Sequence, residues 1–422
     1  MAEADPKALA DTAKMYWAAE GYTPGGVIRE VDYATQNGGI HPPLEGIKIV
    51  DCDTHITEAP DLFTSRAPAK YRDKVPYLRR DTDGVDRWYV GERNCGCTGG
   101  NVIRKDHNKL LGRLAFPTVE ESHPGAYQVK PRLQLMDDMG IWAHIGFQNS
   151  GVTQPGMLMS LGDNDLAVDI LRIYNDASIE YQVESGQRIF NMAHLPYWDK
   201  AAMDREARRC IDAGLKGFVL PDKPEVFGIP GYMTDHWADV LALCNDTGTP
   251  INFHINAAID PGTVIWDGFS FQRRLTIHPM MHSLACAATL GNWMVSGLLD
   301  THDKLKIGLI EAGLGWVPFA LEMLEHQFDE MLPDSANLLN KRPWEYFRTH
   351  FWTTFWFEKI GPRTQIDIVG ADNILFETDF PHPTSIYPDV QAHIVSALGE
   401  QPYEVRKKVL QDNPARLYNL TF

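Results

Sequence analysis

The segment Asp51–His55 carries ionisable side chains at three alternate positions of a short apolar run, at Asp51, Asp53 and His55. In a β-strand, alternate side chains point to one face, so we expect these three groups to share a face. Buried carboxylates and imidazoles that crowd together repel one another or stay unpaired unless a cation collects them. The segment is therefore the first candidate for a metal site.

Three later runs end in side chains of the same kind. His254 closes INFH, Glu311 closes KIGLIE, and Asp379 follows LFET and precedes Phe-Pro-His382. Taken singly, each has an ordinary structural explanation, because a histidine at a strand end is often a hydrogen-bonded core residue and an Asp or Glu often caps a helix. Their recurrence at the same end of several proposed strands needs a common explanation, and a metal centre provides one.

A divalent cation at such a site can support hydrolysis or decarboxylation, and a dinuclear centre would add oxygen activation as a third possibility. In hydrolysis it lowers the pKa of bound water toward ~7, and Asp379 would pass the water proton to the leaving group. In decarboxylation it would bind the substrate's carboxylate and adjacent hydroxyl, and an acid such as His382 or His278 would protonate the ring carbon. The sequence leaves these possibilities open.

The elements that must position these residues are short β-branched or aromatic runs that alternate with amphipathic helical stretches. The runs fall at residues 46–53, 140–147, 187–196, 215–220, 249–255, 304–313, 349–357 and 372–380. Alternating strands and helices predict a parallel sheet with crossover helices, and eight units favour a closed (β/α)8 TIM barrel, whose site lies at the carboxyl ends of the strands. An open doubly wound sheet is the alternative. No G-x-G-x-x-G follows any run, so a dinucleotide site has little support.

Two segments depart from this rhythm. Residues 1–45 predict an N-terminal arm, with a short helix around Lys7–Glu20 and a Gly/Pro-rich linker, and residues 46–422 predict the barrel domain. Within the barrel, residues of about 60–130 predict an inserted β-hairpin subdomain or small meander, with turns at Asp83-Gly84 and Gly99-Gly100. We expect the insertion to help cap the site. The arm would pack on a neighbouring subunit or around its own barrel.

Charge and composition exclude several classes of protein. With 39 Lys and Arg against 56 Asp and Glu, the formal net charge of -17 disfavours nucleic-acid and membrane-surface partners. No apolar run reaches the ~18 residues of a membrane span, and the first residues do not have the pattern of a secretory signal. The 6 cysteines predict reduced thiols, and Cys95 and Cys97 lack the companions of a zinc knuckle. We therefore expect a soluble, cytoplasmic protein.

In combination, these residues resemble the amidohydrolase superfamily. They are most similar to the amidohydrolase-2 branch, which holds hydrolases and decarboxylases related to aminocarboxymuconate-semialdehyde decarboxylase. The resemblance runs from about residue 46 to the end and includes the segment RLQLMDDMGI at 132–141 and the closure TDFPHP at 378–383. It implies a metal-binding barrel, with metal ligands at Asp53, His55, His254 and Asp379.

The chain departs from the family pattern at two places. Many members have His-x-His on the first strand, where this chain has Asp53-x-His55, and many have a histidine at the end of the sixth, where this chain has Glu311. Glu58, one turn beyond His55, adds another carboxylate to the candidate ligands. A carboxylate-rich set with two imidazoles suits Zn, Mn or Fe. We expect one divalent cation, with a dinuclear iron or iron–manganese centre as the alternative.

The resulting functional prediction is a metal-dependent hydrolase. It would cleave a C–N or C–C bond of a small, aromatic, carboxylate-bearing molecule through metal-activated water, with Asp379, Glu311 and His382 as catalytic residues. The alternatives are a nonoxidative decarboxylase, a dinuclear oxygen-activating enzyme and a non-catalytic partner of a homologous enzyme. We expect a homo-oligomer, with a hetero-oligomer with a homologue as the alternative.

Overall fold

The computed structural model of the protein describes residues 25–33, 39–254, 265–332 and 339–422. The predicted helix around Lys7–Glu20 lies outside these ranges. The strands of the described ranges are β1 Val27–Arg29, β2 Ile49–Ile56, β3 Tyr77–Arg80, β4 Asp86–Val90, β5 Arg93–Cys97, β6 Lys109–Leu111, β7 Ile141–Gln148, β8 Ile189–Asn191, β9 Ala193–His194, β10 Phe218–Val219, β11 Ile251–His254, β12 Ile307–Ile310, β13 Phe351–Phe355 and β14 Ile374–Phe376.

The α-helices of the same ranges follow most of the parallel strands. They are α1 Leu62–Arg66, α2 Val129–Asp138, α3 Pro155–Met159, α4 Asn164–Glu184, α5 Lys200–Asp212, α6 Ala238–Thr247, α7 Phe271–Val295, α8 Leu298–Thr301, α9 Val317–Met331, α10 Pro343–His350, α11 Ile360–Thr364, α12 Ile366–Val369, α13 Val390–Leu398, α14 Tyr403–Lys407 and α15 Asn413–Tyr418.

Parallel pairing carries the chain around a closed barrel. The ladder runs from β2 through β7 to β8, and from β9 through β10, β11, β12 and β13 to β14. Met192 separates β8 from β9, so the two form one interrupted strand that joins both ladders. A parallel bridge between Thr54 and Phe380 returns the ladder to β2. The prediction of a (β/α)8 barrel is therefore confirmed.

Side-chain caps start several of the crossover helices where the sequence has a short polar residue. The carboxylate of Asp163 accepts from the Leu166 amide at the start of α4, and Asp199 accepts from the Ala202 amide at the start of α5. Gly248 ends α6 in the left-handed conformation that glycine adopts without strain. These caps satisfy amides and set where each helix leaves the sheet.

The strands are buried on both faces, and alternate residues enter two different layers of core. On β12, Ile307 and Leu309 pack with the outer helices, whereas Ile310 packs inside the barrel with residues such as Val50 and Leu375. The C-terminal helix α15 closes the interior from below, where the Tyr418 hydroxyl donates to Asn252 Oδ1 at 2.9 Å. This burial leaves the carboxyl ends of the strands as the place where polar side chains gather.

The segment between the first two barrel strands contains a small antiparallel sheet in the order β3-β4-β5. A second antiparallel pair joins β1, from the segment predicted as the arm, to β6 of the predicted insertion, with Val27 opposite Leu111. The division into arm, barrel and insertion stays a prediction. In the described ranges, no helix has both the length and the hydropathy needed to cross a membrane.

Gly308 on β12 gives a stability prediction for the barrel interior. A Cβ at this position would lie 2.5 Å from Asn252 Oδ1, an atom that already accepts from Tyr418. We expect Gly308→Ala to lower the free energy of unfolding by about 1–3 kcal/mol, because a fully packed interior cannot admit the methyl group. Chemical denaturation of the purified chain measures this change.

Gly291 in α7 provides the matched control, because a Cβ at this position would have Leu324 Cδ2 as its nearest neighbour, at 3.9 Å. Gly291→Ala should leave stability unchanged or raise it by up to about 1 kcal/mol, through helix propensity. Equal losses in both variants would contradict this description of the barrel interior.

Candidate metal centre

A β-bulge in β2 decides which of its side chains enter the site. Asp51 pairs with His144 and Thr54 with Gly146, so three steps along β2 match two along β7. The Asp51 carboxylate accepts from the backbone amide of Thr378 at 2.9 Å and from its hydroxyl at 2.5 Å. The expectation that Asp51 shares the face of Asp53 and His55 is therefore wrong, because simple alternation does not hold across a bulge.

The first group of candidate ligands comes from three strands. Asp53, His55, His254 and Glu311 each offer one ligand atom, and these atoms lie within 4.8 Å of one another. His254 Nε2 is 3.2 Å from Asp53 Oδ1 and 3.6 Å from Glu311 Oε2. The barrel thus brings together residues that are more than 250 positions apart in the chain.

The second group shares His55 with the first and adds Asp379 and His382 from the segment after β14. His55 Nε2 lies 3.3 Å from Asp379 Oδ1, and His382 Nδ1 lies 2.9 Å from the same oxygen. The rings of His55 and His382 stack with centroids 3.7 Å apart. Six of the predicted residues therefore lie in two overlapping groups, whereas Asp51, Glu58 and His278 belong to neither group.

The His55 ring is oriented by a backbone contact on its far side. His55 Nδ1 is 2.8 Å from the carbonyl oxygen of Gln148, at the end of β7. A carbonyl can only accept, so Nδ1–H donates to it and Nε2 is left with a lone pair that faces Asp53 and Asp379. Metal-binding histidines in proteins are commonly fixed in this way.

Two carboxylates reach the site from strained backbone. Glu311 and Asp379 have φ values of 55° and 57°, in the left-handed region that side-chain-bearing residues rarely adopt. The Glu311 amide donates to Glu377 Oε2 at 3.0 Å, and the Asp379 amide donates to the Asp53 carbonyl at 3.0 Å. Strain of this kind persists where the surroundings enforce it and is concentrated at functional sites.

Burial makes the charges of the site costly. It raises the pKa of Asp53 and of Glu311 well above the usual range, and Asp379 adds repulsion to both. Burial also lowers the pKa of His254 to about 4, so this imidazole is neutral at physiological pH. Burial opposes the ionisation of Asp379 as well, but its contact with His382 outweighs that effect and lowers its pKa.

Several candidate ligand atoms make no hydrogen bond within the part of the chain that the structure describes. Among the described residues, Asp53 Oδ2, His55 Nε2 and Glu311 Oε2 are buried and have no hydrogen-bond partner. Buried polar atoms are nearly always satisfied, so each such atom needs an explanation. Carboxylate oxygens and neutral imidazole nitrogens are both ligands for Mn, Fe and Zn, and the residues present therefore fit a divalent cation.

A buried arginine ties together the strands that carry the ligands. Arg132, the first residue of RLQLMDDMGI, is 1% exposed, and its Nε donates to His144 Nδ1 at 2.9 Å. Its Nη1 donates to the carbonyl oxygens of His55 and Gly125, and its guanidinium lies over the ring of Phe380 at 4.6 Å. The motif thus supports the backbone on both sides of the barrel closure.

The structure places Glu58 and His278 away from both ligand groups. The Glu58 carboxylate accepts from the Ser150 amide at 3.0 Å, and neither group of ligand atoms includes it. His278 contacts His282 on α7, with 3.0 Å between their Nε2 atoms, and it too belongs to neither group. Glu58 is therefore not brought together with the other predicted ligands.

Sequence reasoning missed two residues beside the site. Glu377 is completely buried and holds the Glu311 amide, and Asn149 contacts the ring of His382. Asn149 follows the carboxyl end of β7, the position that singled out the other candidates, so the same signal would have found it. Glu377 lies two residues before Asp379, where strand alternation indicates an inward side chain.

The chain is thus a (β/α)8 barrel protein with a candidate metal site, formed by buried carboxylates and imidazoles at the carboxyl ends of its strands. The profile of the amidohydrolase family matches residues 158–420, and the chain belongs to this family, as the sequence predicted. The comparisons support an enzyme over a non-catalytic partner.

Two relatives that match this chain are named gamma-resorcylate decarboxylase. The chain is 27% identical over 270 residues to gamma-resorcylate decarboxylase of Rhizobium radiobacter, in a match that covers 59% of this chain and 76% of that protein. It is 25% identical over 273 residues to the enzyme of the same name from Rhodococcus jostii strain RHA1, with the same coverage of both chains. Both names are those of decarboxylases.

Solved structures confirm the fold. An amidohydrolase from Mycobacterium avium subsp. paratuberculosis K-10 superposes with a TM-score of 0.68 at 18% identity, covering 88% of this chain and 99% of that one. A dihydroxybenzoic acid decarboxylase from Polaromonas sp. JS666, solved with bound manganese and 2-nitroresorcinol, superposes with a TM-score of 0.59 at 18% identity, covering 89% and 97%. The predicted divalent-metal cofactor agrees with the ligand groups described above.

Glu58→Gln tests the exclusion of Glu58 from the ligand set. We expect this variant to keep the wild-type metal content, whereas Asp53→Asn should lose metal, and elemental analysis of the purified variants measures both. Loss of metal from Glu58→Gln would return Glu58 to the ligands.

The same variant has an expected pH signature. Burial raises the pKa of Glu58 to about 7, so the folded state holds this proton more tightly than the unfolded state does. The contribution of Glu58 to stability is therefore fully present below pH ~4.5 and is lost as the pH rises toward 7. Relative to Glu58→Gln, the wild type should lose up to about 3 kcal/mol of unfolding free energy between pH 5 and 7.5. Parallel pH profiles for the two proteins would contradict this.

Proposed function

We propose that this protein is a metal-dependent, nonoxidative decarboxylase of hydroxylated aromatic acids. The observation that carries the proposal is the pair of buried ligand groups that share His55, in a chain similar to gamma-resorcylate decarboxylase. A hydroxyl beside the carboxylate is expected of the substrate, because the relatives' substrate, gamma-resorcylate, is a hydroxylated aromatic acid.

In this proposal, two carboxylates and two neutral imidazoles hold the cation. Asp53 and His55 from β2, His254 from β11 and Asp379 after β14 supply one ligand atom each. The cation supplies Lewis-acid polarisation of the substrate's carboxylate and neighbouring hydroxyl.

The reaction needs a proton donor. The bond between the ring and the carboxyl carbon breaks, CO₂ leaves with that carbon, and the electron pair that stays on the ring carbon takes up a proton. His382 is placed for this task, because Nδ1 lies 2.9 Å from Asp379 Oδ1 and the side chain, 20% exposed, can exchange protons with solvent.

Glu311 is the second group that this chain places beside the ligands. Its carboxyl lies 3.6 Å from His254, and burial with repulsion from Asp379 and Asp53 raises its pKa well above the usual range. In a centre with one cation, Glu311 stays protonated and donates a hydrogen bond to the substrate. In a centre with two, it would be ionised and bind the second cation.

A dinuclear, oxygen-activating enzyme is the second candidate, and one observation favours it. The two ligand groups share only His55 and together contain six side chains. Six is more ligands than one cation needs. Hydrolysis, the reaction first predicted, would use the same residues with Asp379 as base. The three reactions differ in their products and in their need for oxygen.

The assay follows from these differences. The Mn²⁺-loaded enzyme is incubated with 2,6-dihydroxybenzoate under argon and under air, and CO₂ release and substrate loss are measured. We expect equal rates in the two atmospheres and one CO₂ per substrate consumed. A rate that requires oxygen would support the dinuclear candidate and contradict the decarboxylase.

His254→Ala and Asp379→Ala should each abolish turnover, by at least about 10³-fold, and should lower the metal content, because each removes a ligand. The matched control is His326→Ala, on the exposed face of α9, which should keep both. Turnover and metal content at wild-type values in either ligand variant would remove that residue from the centre.

The variant Glu311→Gln distinguishes a centre with one cation from a centre with two. We expect about one metal per chain in both the wild type and the variant, with kcat lowered by about 10- to 100-fold because an acid is replaced by an amide. Elemental analysis and steady-state kinetics measure this, with the exposed Glu322→Gln as control. A fall from two metals to one would instead identify Glu311 as a ligand of a second cation.

A further inference from the structure

The predicted insertion contacts the candidate site through Gly100, one of the two glycines that the sequence analysis assigned to a turn. The Gly100 amide donates to Asn149 Oδ1 at 2.7 Å, and Asn149 Nδ2 donates to the Gly100 carbonyl at 3.0 Å. Asn149 Nδ2 also donates to Thr57 Oγ1 at 2.9 Å, and Asn149 is 3% exposed. The oxygen and the nitrogen of the Asn149 side-chain amide are thus both hydrogen-bonded to the backbone of Gly100.

This double contact fixes which way the amide points. A flipped Asn149 would face the Gly100 amide with a second donor and the Gly100 carbonyl with a second acceptor. Leaving buried groups unpaired in this way costs about 1–3 kcal/mol each. Asn149 Oδ1 is therefore the atom that faces the ring of His382.

His382 is held by this oxygen and by three other contacts. Its Nε2 lies 3.0 Å from Asn149 Oδ1, and its Nδ1 lies 2.9 Å from Asp379 Oδ1. One face of the ring stacks on His55. At its edge, a Cβ on Gly100 would come within 2.5 Å of His382 Cδ2, so only glycine leaves room for the ring in this place.

We infer that Asn149 is a positioning residue for His382. Because Asn149 Oδ1 accepts, Nε2–H donates to it, and Nδ1 is the nitrogen that the ring presents to Asp379 and the site. Histidines that transfer protons are commonly oriented by a hydrogen bond to the other ring nitrogen. Gly99 serves the same contact, because a Cβ there would lie 2.7 Å from Asn149 Cγ.

The part of His382 in the reaction rests on the proposed function, whereas its hydrogen bond to Asn149 does not. In the reaction, the Nδ1 proton passes to the ring carbon as the bond to the carboxyl carbon breaks, and solvent returns the proton to Nδ1. If the His382 ring could rotate freely, Nδ1 would point toward Asp379 and the site for a smaller fraction of the time. Removal of Asn149 should therefore lower kcat more than it changes KM.

The kinetic test uses the metal-loaded full chain with Asn149→Ala and Gly100→Ala. Each should lower kcat about 10- to 100-fold with KM within about twofold and the metal content unchanged, as expected for a residue that orients another. The control is Thr57→Val, which removes an Asn149 contact on the side away from His382 and should leave kcat within about threefold. A kcat at the wild-type value in both test variants would overturn the inference.

A spectroscopic test does not depend on activity. In the Zn²⁺-loaded chain labelled with ¹⁵N-histidine, the His382 signals are identified by their loss in His382→Gln, and long-range ¹H–¹⁵N couplings report which nitrogen carries the proton. We expect a protonated Nε2 in the wild type and a changed Nε2 signal in Asn149→Ala. An Nε2 without a proton in the wild type would overturn the inference, even if the variants failed to fold.

The two tests separate this inference from the proposed function. If the wild type decarboxylates no hydroxylated aromatic acid but the Nε2 proton signal depends on Asn149, the positioning role stands and the proposed function fails. If the wild type is a decarboxylase and Asn149→Ala leaves both kcat and the ring signal unchanged, the proposed function stands and the positioning role fails.

Discussion

Carboxylates that are buried next to one another must be protonated or must share a positive charge, and this constraint governs the site. Asp53, Glu311 and Asp379 are at most 5% exposed, and the imidazoles among them are driven toward their neutral forms. Neutral histidines cannot balance the carboxylates, because they carry no charge. A divalent cation can satisfy both kinds of group, since it binds carboxylate oxygen and neutral imidazole nitrogen alike. The buried ligand atoms that have no hydrogen-bond partner among the described residues fit this explanation.

The closure of the barrel and the construction of the site occur at the same place. Thr54 and Phe380 join the first and last strands, and the residues next to this bridge include Asp53, His55 and Asp379. Asp51 binds Thr378 across the same seam, and Arg132 supports it from outside. Contacts that complete the fold therefore also fix the ligands. Changes in these buried groups should affect metal binding and stability together, whereas changes at Asn149 or Gly100 should affect mainly the orientation of His382.

The sequence predicted the barrel and most of the site because both depend on a simple geometric rule. Parallel strands buried on both faces read as apolar runs, and their carboxyl ends meet at one rim, so Asp53, His254 and Asp379 could be grouped before any contact was known. Two differences between the expected and the observed arrangement come from local structure that no pattern shows. The bulge in β2 turned Asp51 away from Asp53, and the Ser150 amide holds Glu58 apart from the other carboxylates. Asn149 and Gly100 act through a contact between segments 49 residues apart, which spacing alone does not reveal.

The central claim is that side chains from β2, β11 and the segment after β14 bind one cation together. Anomalous diffraction from crystals of the Mn²⁺-loaded protein, recorded on both sides of the manganese absorption edge, tests it most directly. We expect a manganese peak at about 2.0–2.3 Å from His55 Nε2, His254 Nε2 and carboxylate oxygens of Asp53 and Asp379. A peak bound elsewhere in the molecule, or none at this rim in a protein that retains its activity, would contradict it.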